Sequence, residues 1–179
     1  MTQHSTSSAF DPGETCIVVV VPEAEPLIGL LRRQYDTSDL DGIPAHVAVL
    51  GPWLPEPTIT VEALADLARL AAETPGFDAQ LHGVGRFPGV VWLRPSPTDA
   101  FVRLTQSLWR RWPDFPPYRG QYSDIVPHLT VDDSKPEDQL DVIEHGIGDY
   151  APIPFRVTEL ALFAFDGSRW RKGHVFPLC

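Results

Sequence analysis

The amino-acid sequence predicts a globular fold that contains both helices and β-strands. Short β-branched runs alternate with stretches of helical apolar spacing, and 43% of the residues are hydrophobic while 21% are charged. The chain has 179 residues, enough to bury a substantial core in one domain. A further observation is a degenerate internal repeat, in which helices precede and follow each of two strands that carry a histidine. We expect the two halves of the chain to meet at these histidines.

The first strand and helix are predicted from a β-branched run and a proline. Residues 15–21 are typical of a buried strand. Pro26 suits the first turn of a helix, and the spacing of its neighbours predicts an apolar face of Leu27, Leu30 and Leu31. A polar loop over residues 36–42 then leads to the first histidine strand.

Beyond that strand, the proline-rich residues 51–57 indicate a rigid loop beside it. Thr60 suits the N-cap of a second helix that ends near residues 75–76. The helical spacing predicts that its apolar face comprises Val61, Leu64, Ala65, Ala68 and Ala72.

The second half begins with a predicted hairpin of residues 77–84 and 90–93, because clean alternation over the first run is followed by a glycine- and proline-containing turn. Thr98 is then expected to cap a helix with a buried stripe of Phe101, Leu104, Leu108 and Trp112.

The final helix should begin at a capping box formed by Ser134 and Glu137, ahead of the apolar residues Leu140, Ile143 and Ile147. Residues 155–165 and 174–178 are predicted as two closing strands around a turn at residues 166–168.

Two histidines open similar strands, and these are the candidate catalytic residues. His128 and Thr130 fall on one face of the run over residues 126–131, about 6.6 Å apart along the strand, so an imidazole and a hydroxyl could hold different oxygens of one phosphate. Residues 44–50 repeat the pattern, with a proline ahead, His46 at the start and the small residue Ala48 two places later. The pair His46 and His128 is therefore a candidate acid and base.

The segments His46-Val47-Ala48-Val49 and His128-Leu129-Thr130-Val131 resemble the two H-x-[ST]-x motifs of the two-histidine phosphoesterases. The chain is most similar to the branch of 2′-5′ RNA ligase-like proteins and cyclic phosphodiesterases. The resemblance implies an α+β fold of two similar lobes, whose antiparallel sheets flank a central groove with the helices outside.

The resemblance also implies a reaction. It is the opening of a 2′,3′-cyclic phosphate, or of a related nucleotide or RNA phosphodiester, without a metal or cofactor. By analogy, His46 donates a proton to the leaving oxygen and His128 accepts one from water; the opposite substrate orientation would reverse these roles. Histidine has a suitable pKa for both roles. Thr130 and the residue at position 48 would bind the non-bridging oxygens.

Ala48 departs from the family motif, because it has no hydroxyl group. Loss of one hydrogen bond to a charged group costs about 1.5–3 kcal/mol, less than the loss of an acid or base. The sequence therefore predicts a weakened or altered enzyme, replacement of the hydroxyl by another donor, a different ligand, or an engineered change.

Further candidates for substrate binding lie in the loops beside the histidine strands. Trp53 and Tyr118 could stack on a base or could close the core, and Arg119 and Tyr122 could supply polar contacts. The cations Arg169, Arg171 and Lys172 could attract an anion, although loop cations are mostly solvated. For the remaining histidines, His4, His82, His145 and His174, we expect structural or solvated roles, and His174 could also line the groove.

Two other functions stay open from the sequence. One is a module that binds a nucleotide or phosphorylated metabolite with weak or no turnover; the other is an acid and base enzyme with a non-phosphate substrate. A metal site at the two histidines is disfavoured because neither strand offers a third ligand at short spacing. No P-loop or dinucleotide motif is present, which disfavours a nucleotide cofactor.

Charge and composition narrow the partners. The net charge of −10 disfavours broad, sequence-independent nucleic-acid binding, and no apolar run is long enough to cross a membrane. Residues 1–12 are polar and lack the pattern of a signal peptide, so we expect a flexible tail, a cytoplasmic monomer and a single domain over residues 13–179. Cys16 and Cys179 lack metal-type spacing and suggest no disulfide framework.

Overall fold

A computed structural model describes residues 10–35, 42–132, 136–147, 150 and 152–179, with the side chains of residues 32–35 left aside. The helices are α1 (Glu25–Tyr35), α2 (Val61–Ala72), α3 (Thr98–Arg111) and α4 (Glu137–Ile147). The strands are β1 (Thr15–Val20), β2 (His46–Leu50), β3 (Phe77–Phe87), β4 (Val90–Ser96), β5 (Leu129–Asp132), β6 (Ile153–Val157), β7 (Glu159–Phe165) and β8 (Trp170–Pro177).

The described strands form two four-stranded sheets, with the orders β2-β1-β7-β8 and β5-β4-β3-β6. Every pairing between neighbouring strands is antiparallel. A buried cluster of apolar side chains includes residues of both sheets, such as Ile17 of β1 and Leu93 of β4. The predicted α+β fold with two antiparallel sheets is confirmed.

The two strands associated with the histidines are edge strands, one in each sheet, and β2 contacts β5. Helix α3 packs against β2 and β4. The fold therefore joins its halves where the repeated motifs lie, as the sequence predicts. The second histidine strand begins at Leu129, so His128 immediately precedes it.

Two helices bury different faces from those predicted. In α1, Leu30 is 57% exposed, whereas Ile28 and Leu31 are buried. In α2, Val61 is 78% exposed, and the buried residues are Leu67 and Ala71. Both helices carry more apolar residues than one face needs, so the buried face depends on how each helix docks; α2 docks against β8.

The predicted α3 and α4 faces are confirmed: Phe101, Leu104, Leu108 and Trp112 are buried, as are Leu140, Ile143 and Ile147.

Helix caps agree with the sequence in one case and differ in another. Thr60 caps α2, since its side-chain oxygen accepts a hydrogen bond from the Ala63 amide at 3.1 Å. Thr98 is the first residue of α3 instead of its cap, and its hydroxyl donates to the Pro95 carbonyl at 3.0 Å. The predicted cap Ser134 and most of the 36–42 loop lie outside the described residues.

The predicted closing strand over residues 155–165 is wrong, because two strands in different sheets occupy this segment. The chain leaves β6, which pairs with β3, passes Thr158, and enters β7, which pairs with β1. Both strands are rich in β-formers, so the sequence pattern does not show the change of sheet. The last strand, β8, begins at Trp170 and not at residue 174.

Near the N-terminus, Phe10 lies within the predicted tail but packs against Phe165 and Trp170, with ring centroids 5.9 and 5.0 Å away. The packed part of the chain therefore begins by residue 10; residues 1–9 lie outside the described part. Among the described helices, none is long and apolar enough to cross a membrane.

Candidate active site

The two motif histidines are held by the same backbone contact. Nδ1 of His46 lies 2.8 Å from the carbonyl oxygen of Pro44, and Nδ1 of His128 lies 2.7 Å from that of Val126. Because a carbonyl oxygen only accepts, Nδ1 is the donor in both pairs. The proton that each ring gains or loses is then the one on Nε2. Each half of the repeat thus presents an imidazole in the same tautomer.

His128 is enclosed by three aromatic rings. Tyr118 stacks on the imidazole with ring centroids 5.9 Å apart and an interplanar angle of 24°, while Phe87 meets it edge-on at 5.2 Å. Trp92 lies 6.0 Å away. This burial lowers the pKa of His128 and outweighs the opposing effect of the Val126 carbonyl. A neutral imidazole at neutral pH can accept a proton.

Gly85 makes room for part of this enclosure. It pairs directly with Trp92 across the β3-β4 hairpin, and a Cβ at position 85 would fall far inside 3.0 Å of the indole ring. Trp92 is 6% exposed and also contacts Phe87, with centroids 5.0 Å apart. The indole therefore lies directly over the glycine backbone, which positions it beside His128.

The positions two residues after each histidine differ in chemistry. Ala48 pairs with Val18 of β1, and Thr130 pairs with Trp92 of β4. Both positions are half-buried, whereas the alternate residues Val47 and Leu129 are fully buried. Alternation along a strand places each of these residues on the same face as its histidine. One motif therefore offers a hydroxyl and the other a methyl group.

The loop that precedes β5 brings Tyr118 to the site. The Tyr118 amide donates to the Gly51 carbonyl at 3.0 Å, just beyond the end of β2. Tyr118 and Arg119 have φ values of 53° and 57°, a left-handed conformation that is uncommon for residues with a side chain. Burial raises the pKa of the Tyr118 hydroxyl to about 12, so it stays protonated as a donor.

The other predicted ligand residues fall in three environments. Tyr122 is 69% exposed, with its ring centroid 6.0 Å from that of Tyr118. The Arg119 guanidinium is half-exposed and pairs with Glu14 at 2.6 Å, which offsets its charge. Trp53 is 1% exposed and packs edge-on against Trp112 at 5.1 Å. That burial favours the packing role for Trp53 over stacking on a base.

Cations and histidines elsewhere take up other environments. Arg171 pairs with Asp166 at 3.1 Å and lies 3.6 Å from Glu56. His174 is exposed, 6.2 Å from the Phe176 ring. The other cations of this hairpin, Arg169 and Lys172, are also exposed, and His82 and His145 line a separate cleft beside Tyr150. Within the described ranges, no group of three or more His, Cys, Asp or Glu residues is suited to hold a metal ion.

Sequence reasoning missed Gly85, Phe87 and Trp92. The hairpin that carries them was predicted, but nothing in the local pattern indicated that β4 pairs with β5. That pairing joins residues far apart in the chain, and it brings these side chains around His128.

Two antiparallel sheets with a histidine at an edge strand of each, both held in one tautomer, define the class of two-histidine phosphoesterases. The model of the 2′-5′ RNA ligase superfamily matches residues 20–169. This chain belongs to that superfamily. Among curated protein sequences, no significant relative was found.

Solved structures agree on the fold. The protein TT0787 of Thermus thermophilus is similar with a TM-score of 0.61 and 20% identity, over 92% of this chain and 97% of that one. E. coli LigT in complex with 3′-AMP is similar with a TM-score of 0.59 and 19% identity, over 94% of this chain and 99% of LigT. LigT has also been solved with ATP and with NADP+. At these identities, the likeness supports a shared fold alone.

Proposed function

We propose that this chain is a metal-independent phosphodiesterase that opens nucleoside 2′,3′-cyclic phosphates or a related nucleotide or RNA phosphodiester. Membership of the superfamily makes phosphodiesterase-type chemistry the general expectation. The observation that carries the specific proposal is the matched pair of histidines, each with Nδ1 bonded to the carbonyl two residues earlier. Two imidazoles that exchange protons through Nε2 are what an in-line displacement at phosphorus requires.

In the proposed reaction, a water oxygen attacks phosphorus while Nε2 of His128 removes a proton from that water. The bond between phosphorus and one ribose oxygen breaks, and Nε2 of protonated His46 gives its proton to that oxygen. The product is a phosphate monoester, and solvent returns both histidines to their starting states. The lowered pKa of His128 supports its assignment as the base.

Binding of the substrate oxygens is proposed to be asymmetric. The Thr130 hydroxyl would donate to a non-bridging oxygen, where negative charge concentrates. Ala48 offers no equivalent donor, so one oxygen would depend on water or on a loop donor such as Tyr118 or Arg119. Because Arg119 is already paired with Glu14, we expect the protein to hold phosphate less strongly than one with two motif hydroxyls.

Hydrolysis of the four nucleoside 2′,3′-cyclic phosphates in a metal chelator, followed by phosphorus NMR, tests the proposal. His46→Ala and His128→Ala should each reduce the rate about 10²- to 10⁴-fold. His82→Ala, a histidine on β3 outside the site, is the matched control and should retain the rate. Turnover that requires added metal, or that survives both site substitutions, would refute the mechanism.

Ala48 specifically favours a second candidate, a module that binds a nucleotide or phosphorylated metabolite without turning it over. Such a module would bind the cyclic nucleotides by calorimetry but form no product after long incubation. His128→Ala would then change affinity only weakly. Product formation by the unmodified chain would exclude this candidate.

A further inference from the structure

A cavity of about 540 Å³ lies next to the candidate active site, between α3 and the loop that leads into β5. Its volume is within the range of small-molecule sites. Tyr118 forms part of its wall and also stacks on His128, so one side chain borders both places. From the imidazole, two ring contacts of 5.9 and 6.0 Å lead through Tyr118 to Tyr122, which also lines the cavity.

The aromatic lining of this cavity is unusual for an exposed surface. Six large hydrophobic residues are exposed in the described part of the chain, and the two aromatic ones, Trp109 and Tyr122, both line the cavity. Trp109 is 39% exposed on the outer side of α3, opposite the buried stripe that contains Leu108. Exposed aromatic rings in a cavity beside a phosphate-reactive site suit stacking on a base.

The charge of the lining indicates which part of a nucleotide the cavity accepts. Its described side chains include the carboxylate of Asp124 and the amide of Gln106, but no Lys or Arg. A phosphate group would find no cationic partner there, whereas a base offers N–H donors to the carboxylate and amide. The cavity therefore fits a neutral, flat group with hydrogen-bond donors.

We propose that this cavity binds the base of a nucleoside 2′,3′-cyclic phosphate while the phosphate lies at the two histidines. The inference rests on the proposed function for the position of the phosphate. Trp109 and Tyr122 supply the stacking surface. Asp124 accepts a hydrogen bond from an exocyclic amino group, so adenine, cytosine and guanine bind better than uracil, which has no amino group.

Steady-state kinetics of Tyr122→Ala and Trp109→Ala test this inference. Each variant should raise KM for nucleoside 2′,3′-cyclic phosphates about 5- to 100-fold, the range expected for one lost base stack, with little change in kcat. The increase should be much smaller for methyl riboside 2′,3′-cyclic phosphate, which lacks a base. Arg110→Ala is the control, because this exposed residue is next to Trp109 and outside the cavity lining. Asp124→Asn should reduce the preference over uridine about 2- to 10-fold.

Adenosine binding, followed by tryptophan fluorescence, separates this inference from the proposed function. Adenosine that binds the unmodified chain, and binds Tyr122→Ala at least 5-fold more weakly, supports the cavity even if no cyclic phosphate is hydrolysed. Hydrolysis with the same KM in Tyr122→Ala, Trp109→Ala and the unmodified chain would overturn the base site and leave the phosphodiesterase intact. An equal rise in KM for the base-less substrate would also overturn it.

Discussion

Substitution of Gly85 by alanine should disable the site from a residue that touches no substrate. A Cβ at this position would meet three indole atoms of Trp92 at distances no real structure tolerates, so the ring has to move by about 1 Å or more to reach ordinary contact. Trp92 lies against Phe87 and beside His128, and the displacement is passed on to them. The perturbation is therefore local, steric and directed at the candidate base.

The expected magnitudes follow from this clash. Alanine in place of glycine gains about 0.4–1 kcal/mol by restricting the unfolded chain, whereas overpacking costs about 1–3 kcal/mol. We expect Gly85→Ala to lower the free energy of unfolding by about 1–2 kcal/mol. The rate should fall about 10²-fold, because a displacement near 1 Å is enough to misalign a catalytic group.

The assay combines urea unfolding, hydrolysis rates and NMR titration of the His128 ring. Gly83→Ala is the matched control on the same strand: position 83 has open space but a φ of +83°, so its cost of about 1–2 kcal/mol comes from backbone strain. It should lose similar stability while keeping the rate and the pKa of His128. Trp92→Leu combined with Gly85→Ala should restore stability. Native rate, stability and pKa in Gly85→Ala would refute the reasoning.

Three further predictions concern single groups. Because burial lowers the pKa of His128 in the folded state, the unfolded chain takes up its proton first as the pH falls; the unmodified chain should lose stability below about pH 6.5, and His128→Gln should lose less, as urea unfolding would show. Ala48→Thr should raise the hydrolysis rate about 10- to 100-fold if the new hydroxyl reaches the phosphate, and an unchanged rate would exclude that contact. Burial raises the pKa of the Cys16 thiol far above its usual value, so a thiol reagent should label exposed Cys179 rapidly and Cys16 only after denaturation; rapid double labelling would contradict the burial.

Local sequence determined most of the elements and both candidate catalytic residues. Period-two alternation marked the strand of His46 and the run that contains His128, and helical spacing marked the buried stripe of α3. These features depend on residues a few positions apart, which share one face whatever the rest of the chain does. The repeat added the expectation that the two histidine strands meet, and β2 does contact β5.

Tertiary structure alone decided which surfaces those elements bury and what surrounds the site. Val61 and Leu30 have the spacing of core residues but are exposed, because docking selected another face of each helix. The change of sheet at Thr158 leaves no local signal, since both sheets accept the same β-formers. The enclosure of His128 by Phe87 and Trp92 depends on the pairing of β4 with β5, a contact between distant parts of the chain. A sequence pattern records the chemistry of each residue, whereas its neighbours across sheets are set by packing of the whole core.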